Sequence, residues 1–366
     1  ADCVWLASDP DREGEAIAWH LAQHLTAKQF KRITTQSITE QAIIDAIQLP
    51  RDIDQNLVNS YLARRSIDRL TGYQVSPPLC QLGDKRLSAG RVQSVAVRLL
   101  AEREVEINAF QSIEHYVVKL KFKNDDLEWV AKWDASPFTS NDEPYIVEKS
   151  YAETVANINR VAVAMIAKKP RIQDAPAPFI TSSIQKMAAV RLELSPKECM
   201  NLLQHLYQMG FITYHRTDNP NLSNEDIAAV HQQLLAMDLG NHISPTPNTW
   251  DTSSTAQEGH GGIIPTDLTK KSVEISDIRA IRLYQIIRYH SLMSQMKPAE
   301  TTSTIVTLEA VGDQYRIEGE LPIYQAKQFQ LLYPGWQLLL KKEYRTKEDL
   351  LPELQRYHEL VPEKGE

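Results

Sequence analysis

Residues 3–21 read CVWLASDPDREGEAIAWHL. The apolar run from Cys3 to Ala7 has the composition of a buried strand. Ser8 to Glu15 is an acidic loop, and Ala16, Ile17, Trp19, His20 and Leu21 follow at helical spacing. Strand, loop and helix make an α/β arrangement. Open α/β sheets hold ligands at the carboxyl ends of their strands, where this loop falls. Asp9, Asp11, Glu13 and Glu15 crowd together there. A hard cation would relieve their repulsion, and Mg²⁺ suits one or two carboxylates plus substrate phosphates. The plainer alternative is that Glu13 and Glu15 complement a helix N-terminus while Asp9 or Asp11 caps it. Arg12, inside the cluster, favours phosphate chemistry, because a guanidinium reads phosphate through paired hydrogen bonds.

Lys31 to Thr35 reads as a second strand, with a helix behind it from Thr39, its cap, to Ile47. Arg32, at the strand's entry, either points at the same cleft or is a solvated charge. From Asn59 to Phe110 the chain reads as helical, with a loop around Val75 to Leu87. Here Arg64, Arg65, Arg69, Lys85, Arg86, Arg91 and Arg98 outnumber the acids Asp68 and Asp84. Arg65 and Asp68, three apart, share a helix face. Ser88 to Ser94, SAGRVQS, opens another helix with small residues that let backbone approach a phosphate. Arg91, Gln93 and Ser94 add donors, giving either a surface that tracks a nucleic-acid backbone or a solvated basic face.

Alternation over 116–122 and 129–133 predicts antiparallel strands, and 151–163 reads as an amphipathic helix. APAPF at 175–179 is a joint between domains. Beyond it lies GFITYHRTD, residues 210–218. The helix before it has a capping box, Ser195 with Glu198, Pro196 at its first position and Gly210 at its stop. Phe211 to Tyr214 reads as a short strand, which would put Tyr214, Arg216 and Asp218 on one face. A phenol with a pKa near 10 is a poor nucleophile at neutral pH. A guanidinium two residues away would favour the phenolate and hold an anionic substrate; the alternative is a half-buried structural tyrosine. In QEGHGGIIPT, residues 257–266, His260 beside two glycines could donate to a phosphate oxygen, shuttle a proton or be structural. Ile278 to Met293 reads as a helix. Alternation returns over 301–308 and 314–320, so one β domain is expected from two separated segments, with 175 to about 300 inserted.

Composition narrows the class. At 366 residues with 42% hydrophobic content the chain is expected to hold two to four domains. Thirteen glycines and no repeats argue against fibrous or low-complexity classes. No apolar run approaches the roughly 20 residues that span a bilayer, and no secretory signal opens the chain. Cys3, Cys80 and Cys199 are too dispersed for a zinc knuckle or a disulfide framework, which points to a reducing compartment. The net charge of −7 argues mildly against a polyanionic partner but says nothing of how charge is distributed. The opening strand without an initiating Met reads as a piece of a larger polypeptide.

Four blocks now stand in order: DPDREGEAIAWHL at 9–21, SAGRVQSVAVRLLAEREVEI at 88–107, PFITSSIQ at 178–185 and GFITYHRTDNPNLS at 210–223. Together they resemble the type IA DNA topoisomerases, in particular the bacterial members, along almost the whole chain. The resemblance implies a multi-domain α/β plus α+β fold forming an open or partial toroid. Its parts would be a partial TOPRIM metal-binding domain (1–52), an incomplete helical DNA-binding domain (53–109), a discontinuous β-rich hinge domain (110–174 and 301–366) and an inserted domain with the active-site tyrosine (175–300). Tyr214 would attack a phosphodiester of single-stranded DNA and form a 5′-phosphotyrosine. Arg216 would steady the scissile phosphate, and His260 matches the family histidine of the later loop. Asp9, Asp11 and Glu13 match the Mg²⁺-binding acids. Arg12, Arg32, Arg64, Arg65, Ser88, Arg91, Gln93 and Thr217 match DNA-contacting positions, and Asp68 with Arg65 a pair that reads a base. The implied partners are single-stranded and negatively supercoiled DNA, with no membrane, for a monomer of the bacterial cytoplasm. Three departures stand beside this. The family's opening strand with its glutamate and lysine is not in the chain, nor is its later Gly-Arg-Pro-Ser-Thr segment. The usual His-Glu-Ala-Ile-Arg-Pro loop reads HGGIIP at 260–265. Little activity is therefore expected of this chain alone. A TOPRIM nuclease and a non-catalytic single-strand-binding fragment are the alternatives.

Overall fold

The computed structural model describes residues 2–82, 87–124, 127–141, 143–252, 261–340 and 351–366. Its contacts fall into two compact units, 1–111 with 178–221 and 251–288, and 112–177 with 222–250 and 289–366. The tyrosine segment belongs with the acidic loop, because its backbone is stitched to that part of the chain: the Tyr214 amide donates to Gln36 O at 2.7 Å.

In the first unit, β1 (Cys3–Leu6) and β2 (Gln29–Arg32) pair in parallel, Cys3 opposite Gln29 and Leu6 opposite Arg32. Parallel neighbours need a crossover, and α1 (Arg12–His24) supplies it. Thr39 caps α2 (Glu40–Gln48), and Asp54 caps α3 (Gln55–Leu70) through the amides of Asn56 and Leu57. A π turn over Thr71–Val75 leads into α4 (Ser76–Gln81). Pro77 and Pro78 lack an N–H, so the α ladder cannot run on unbroken there. No residue of α5 (Gln93–Ala109) is buried.

The second unit then builds β3 (Lys119–Asn124), β4 (Leu127–Trp133), α6 (Lys149–Ala156) and β5 (Val161–Gln173). The chain returns to the first unit as α7 (Thr181–Leu192) and α8 (Pro196–Gln208), with the expected Ser195–Glu198 capping box in place. Next come α9 (Asn224–Ala236), α10 (Ile278–Ser294), β6 (Ala299–Ala310), β7 (Ile323–Tyr333), β8 (Glu359–Leu360) and β9 (Lys364–Gly365). The seven strands β3–β9 form one antiparallel sheet in the order β8-β5-β6-β7-β4-β3-β9. Leu120, Phe122, Trp129, Trp133, Val161 and Leu308 face its core. The sheet draws on both alternating segments of the sequence.

In the second unit two expected elements differ. The helix predicted over 151–163 ends at Ala156, and Val161 begins a strand flanked by β6 and β8 that buries Val161 and Val163 on one face. The strand predicted over 314–320 is instead a 3₁₀ turn, Asp313–Tyr315, followed by a bridge between Ile317 and Glu320; the strand starts at Ile323. In both places apolar spacing of two residues was shared by a strand and by the turn or helix beside it.

Candidate active site

The acidic loop is held by a buried ion network. Glu15, one of four crowded acids in the sequence, is fully buried. Its carboxylate accepts from Arg32 Nε (2.9 Å), from Arg51 Nη1 and Nη2 (2.8 Å each) and from the Asp54 amide (2.6 Å). Burial pushes its pKa up, but the hydrogen bonds from Arg51, Asp54 and Arg32 outweigh that and leave it below the ordinary value. Arg32 spends its other donors on the carbonyls of Leu6 (3.0 Å), Ser8 (2.7 Å), Ile33 (2.7 Å) and Asp9 (2.8 Å). At 1% exposure it does not lie on a surface that could follow a DNA backbone. The expectation of a DNA contact is corrected: the guanidinium ties the end of β1 to the loop that carries the acids. A Cβ on Gly14 would lie 2.0 Å from Asp9 O, so only glycine lets the loop close so tightly on α1.

Asp11 works in two directions. One carboxylate oxygen caps α1 by accepting from the Gly14 amide at 2.7 Å. The other accepts from the Tyr214 hydroxyl at 2.7 Å, across 203 residues of sequence. Tyr214 lies on an extended segment, not in a regular strand: Ile212 bridges Pro265, and the Thr213 amide donates to Ile264 O. Gly210, at φ +71°, starts that segment where a Cβ would meet Ile38 O at 2.4 Å. The phenol is 2% exposed. Burial, the hydrogen bond to Asp11 and the charges of Asp11 and Asp9 push its pKa well above the usual 10, against the opposing pull of Arg216. The expectation of a phenolate favoured by the arginine is thus reversed: the tyrosine is protonated and donates.

Arg216 is half-exposed, with Nη1 3.8 Å from Glu13 and 4.0 Å from Asp11. It lines a cleft of about 690 Å³ with Asp11, Arg12, Glu13, Arg64 and Thr217. The Thr217 side chain is buried, and its hydroxyl accepts from the Asn219 amide at 3.2 Å. Asp9 titrates above its usual value because of burial and the neighbouring Asp11. Among the described residues no group of three or more His, Cys, Asp or Glu side chains gathers at metal-holding spacing. The donors still fit a hard cation held by one or two carboxylates, since Asp11 and Glu13 both face the cleft. His260 lies outside the described residues.

On the basic helices the expected partners change. Asp68 pairs with Arg91, whose Nε and Nη2 donate to its two oxygens at 3.0 and 3.1 Å. Arg65 donates to the Tyr61 hydroxyl at 3.2 Å. The pair assumed on one helix face is therefore a bridge from α3 to the segment before α5, and Arg91 is engaged by a carboxylate. Gln93 donates to Ser88 Oγ at 3.0 Å, and Arg12 lies 3.5 Å from Ser60 Oγ.

Three residues near the site were not singled out in the sequence. Arg51 completes the clamp on Glu15. Tyr207 packs edge-on to Tyr214 at 5.2 Å, its own pKa pushed up to about 12 by burial and by Asp9 and Asp11. His215 is buried, 5.5 Å from the Tyr214 ring, and neither ring nitrogen has a hydrogen-bond partner among the described residues. Burial and Arg216 lower its pKa to about 4, so it is neutral. Strand alternation would have placed His215 opposite Tyr214, and nothing in the sequence marked it as buried.

A DNA topoisomerase family model matches residues 52–365, and a Toprim domain model matches residues 1–38. The chain belongs to the type IA DNA topoisomerase family. It is 40% identical over 353 residues to a protein of Xylella fastidiosa described as DNA topoisomerase I, plasmid, covering 95% of this chain and 52% of that one. It is 34% identical over 357 residues to DNA topoisomerase 1 of Escherichia coli, covering 95% of this chain and 40% of the other. Full-length topoisomerase I from Thermotoga maritima superposes with a TM-score of 0.80 at 27% identity, over 98% of this chain and 58% of that structure. The chain thus spans about half, or less, of the length of the relatives it matches. Among the described residues no helix is long and apolar enough to cross a membrane.

Proposed function

We propose that this chain carries the cleavage site of an ATP-independent enzyme that relaxes negatively supercoiled DNA through a 5′-phosphotyrosine. The reading rests chiefly on the 2.7 Å hydrogen bond from the Tyr214 hydroxyl to Asp11. It unites the sequence's candidate nucleophile with its candidate metal loop. In the proposed step Tyr214 Oη bonds to the phosphorus of a single-stranded phosphodiester, and the 3′ oxygen leaves with the electron pair of the broken P–O bond. A protonated phenol needs a base, and Asp11 lies within proton-transfer reach. A proton restored to the 3′ oxygen gives the free hydroxyl. That hydroxyl reseals the strand by the reverse exchange after another strand has passed. One phosphoester replaces another at each step, so no ATP is consumed.

Because the phenol is buried against Asp11, that contact has to open to the incoming phosphate as Asp11 takes the phenol's proton. Arg216, half-exposed on the cleft, is the cation suited to draw the phosphate in and to stabilise its developing charge. Asp9, Asp11 and Glu13 would hold Mg²⁺, which when bound would neutralise phosphate charge. Arg12 and Arg64 line the same cleft and suit the neighbouring phosphates. Arg65, Asp68, Ser88, Arg91, Gln93 and Thr217 are proposed DNA contacts. For Asp68 and Arg91 this requires DNA to break or share their ion pair. His260 is proposed as a further phosphate donor.

The test supplies the intact protein with a single-stranded oligonucleotide and Mg²⁺, quenches with denaturant, and looks for DNA attached to protein. Adduct that disappears with Tyr214→Phe is expected. Cutting with free 5′ ends that survives this substitution would mean a nuclease. Binding with no adduct would mean a non-catalytic module.

A further inference from the structure

The second unit carries a cationic pocket of about 700 Å³ on the outer face of its sheet. The alternation that buries Leu120, Ala131, Tyr324 and Ala326 turns Lys119, Lys132, Gln325 and Lys327 outward. Register places them together: Lys119 is directly opposite Lys132, and Lys132 opposite Gln325. Lys327 lies two residues further along the same face of β7. These positions are therefore roughly 5 Å apart across the strands and roughly 7 Å apart along them. Like charges directly opposite in an antiparallel pair destabilise a sheet. None of the three lysines enters an ion pair with a described residue, although acids outnumber bases 47 to 40 in the chain. The acid lining the pocket, Asp134, is engaged by Gln325 Nε2 at 2.7 Å and by Ser136 Oγ at 2.7 Å.

The wall of this pocket is aromatic. His115 and Tyr145, both exposed, stack at 4.6 Å with 28° between their planes. Val117 and Val130 add exposed apolar surface. Unpaired cations beside exposed stacked rings are what a single strand of nucleic acid uses: phosphates meet the lysines and bases stack on the rings. We propose that this face is a second binding site for single-stranded nucleic acid, separate from the tyrosine cleft and recognising sugar-phosphate backbone and base faces without sequence preference. The site stands whether or not Tyr214 forms an adduct, because no residue is shared.

The experiment photocrosslinks a 5-iodouracil-substituted oligonucleotide to the chain and maps the attachment by peptide mass spectrometry. In parallel, anisotropy titrations over a salt series compare the wild type with Lys119→Ala/Lys132→Ala/Lys327→Ala. A crosslink at His115, Tyr116 or Tyr145 is expected. The log-affinity against log-salt slope should become shallower by about 2, near 0.7 for each lost single-strand phosphate contact. Tyr145→Leu, which leaves the lysines in place, should weaken binding roughly tenfold through lost stacking. The lysine variant relieves like-charge opposition, so its melting temperature should hold or rise. Crosslinks found only outside residues 115–146 and 323–327, or an unchanged slope, would each overturn the proposal. Should the triple variant melt early, the crosslink map and Tyr145→Leu decide alone, and unchanged affinity in Tyr145→Leu would count against the site.

Discussion

The acidic loop and the basic helices belong to one compact unit and use charge in opposite ways. Around Glu15 the ions are buried, shared among several partners and spent on holding backbone. Along α3, α5 and the segment that leads into α5 they are exposed, and the ion pairs they make are one to one: Asp68 with Arg91, Arg98 with Glu102 and Arg103 with Glu106. α1 buries Ala16 and Ala18 while exposing Ile17, whereas no residue of α5 is buried and Val95, Leu99 and Leu100 are more than half exposed. Charge in the first region fixes a geometry, and in the second it offers a surface. Substitutions in the two regions should therefore separate by size and by kind.

The largest effect on stability should come from Glu15→Ala, which strands Arg32 in the interior. Breaking a buried pair from one side costs about 3–5 kcal/mol, read as a shift in the urea midpoint. A loss below about 1 kcal/mol would mean that the network is not what holds the loop. Its pH signature has a definite sign. The folded pKa of Glu15 is below 4.5, so its contribution is complete above that value and fades as pH falls through the folded one. Asp9 acts oppositely: its pKa is raised above 3.8, so protonating it as pH falls adds stability. Glu15→Gln should flatten the acid limb of a stability–pH curve, and a limb as steep as the wild type's would assign acid sensitivity elsewhere.

Gly210→Ala comes next. It forces a side chain into a left-handed conformation and against Ile38 O, at a cost of more than about 1 kcal/mol. It should also loosen the segment that presents Tyr214, which denaturation and adduct yield would report together. On the basic helices the effects should be small in stability and visible in binding. Asp68→Ala frees Arg91, and should leave the melting temperature unchanged while altering which sites are cut; an identical cleavage ladder would remove Asp68 from recognition. Smallest of all, Leu100→Ala should move stability by no more than about 0.5 kcal/mol, because that side chain is 71% exposed. A larger loss would show that α5 is packed in solution.

Local rules were legible in the sequence, and long-range partners were not. Caps at Thr39 and Ser195, a cap at Asp9 or Asp11, the strand–loop–helix start and the outward alternation of β3 and β4 all follow from neighbours within a few residues. Arg32 and Arg51 carry no local sign that both end on Glu15, which lies 17 and 36 residues before them. Helical arithmetic paired Asp68 with Arg65 because it sees one helix, whereas Arg91 arrives from another segment. The buried state of Tyr214 was equally hidden, since a tyrosine beside an arginine gives no measure of desolvation. What the sequence did contain was chemical type: an acid loop and a tyrosine able to meet, though their meeting is a matter of folding.

The central claim is that Tyr214, held by Asp11, is the atom donor for strand cleavage. Peptide mass spectrometry of protein quenched during reaction with a single-stranded oligonucleotide tests it most directly. The account predicts a nucleotide mass added to the tyrosine of the peptide spanning residues 210–218. A nucleotide found on any other side chain, with Tyr214 unmodified, would contradict it.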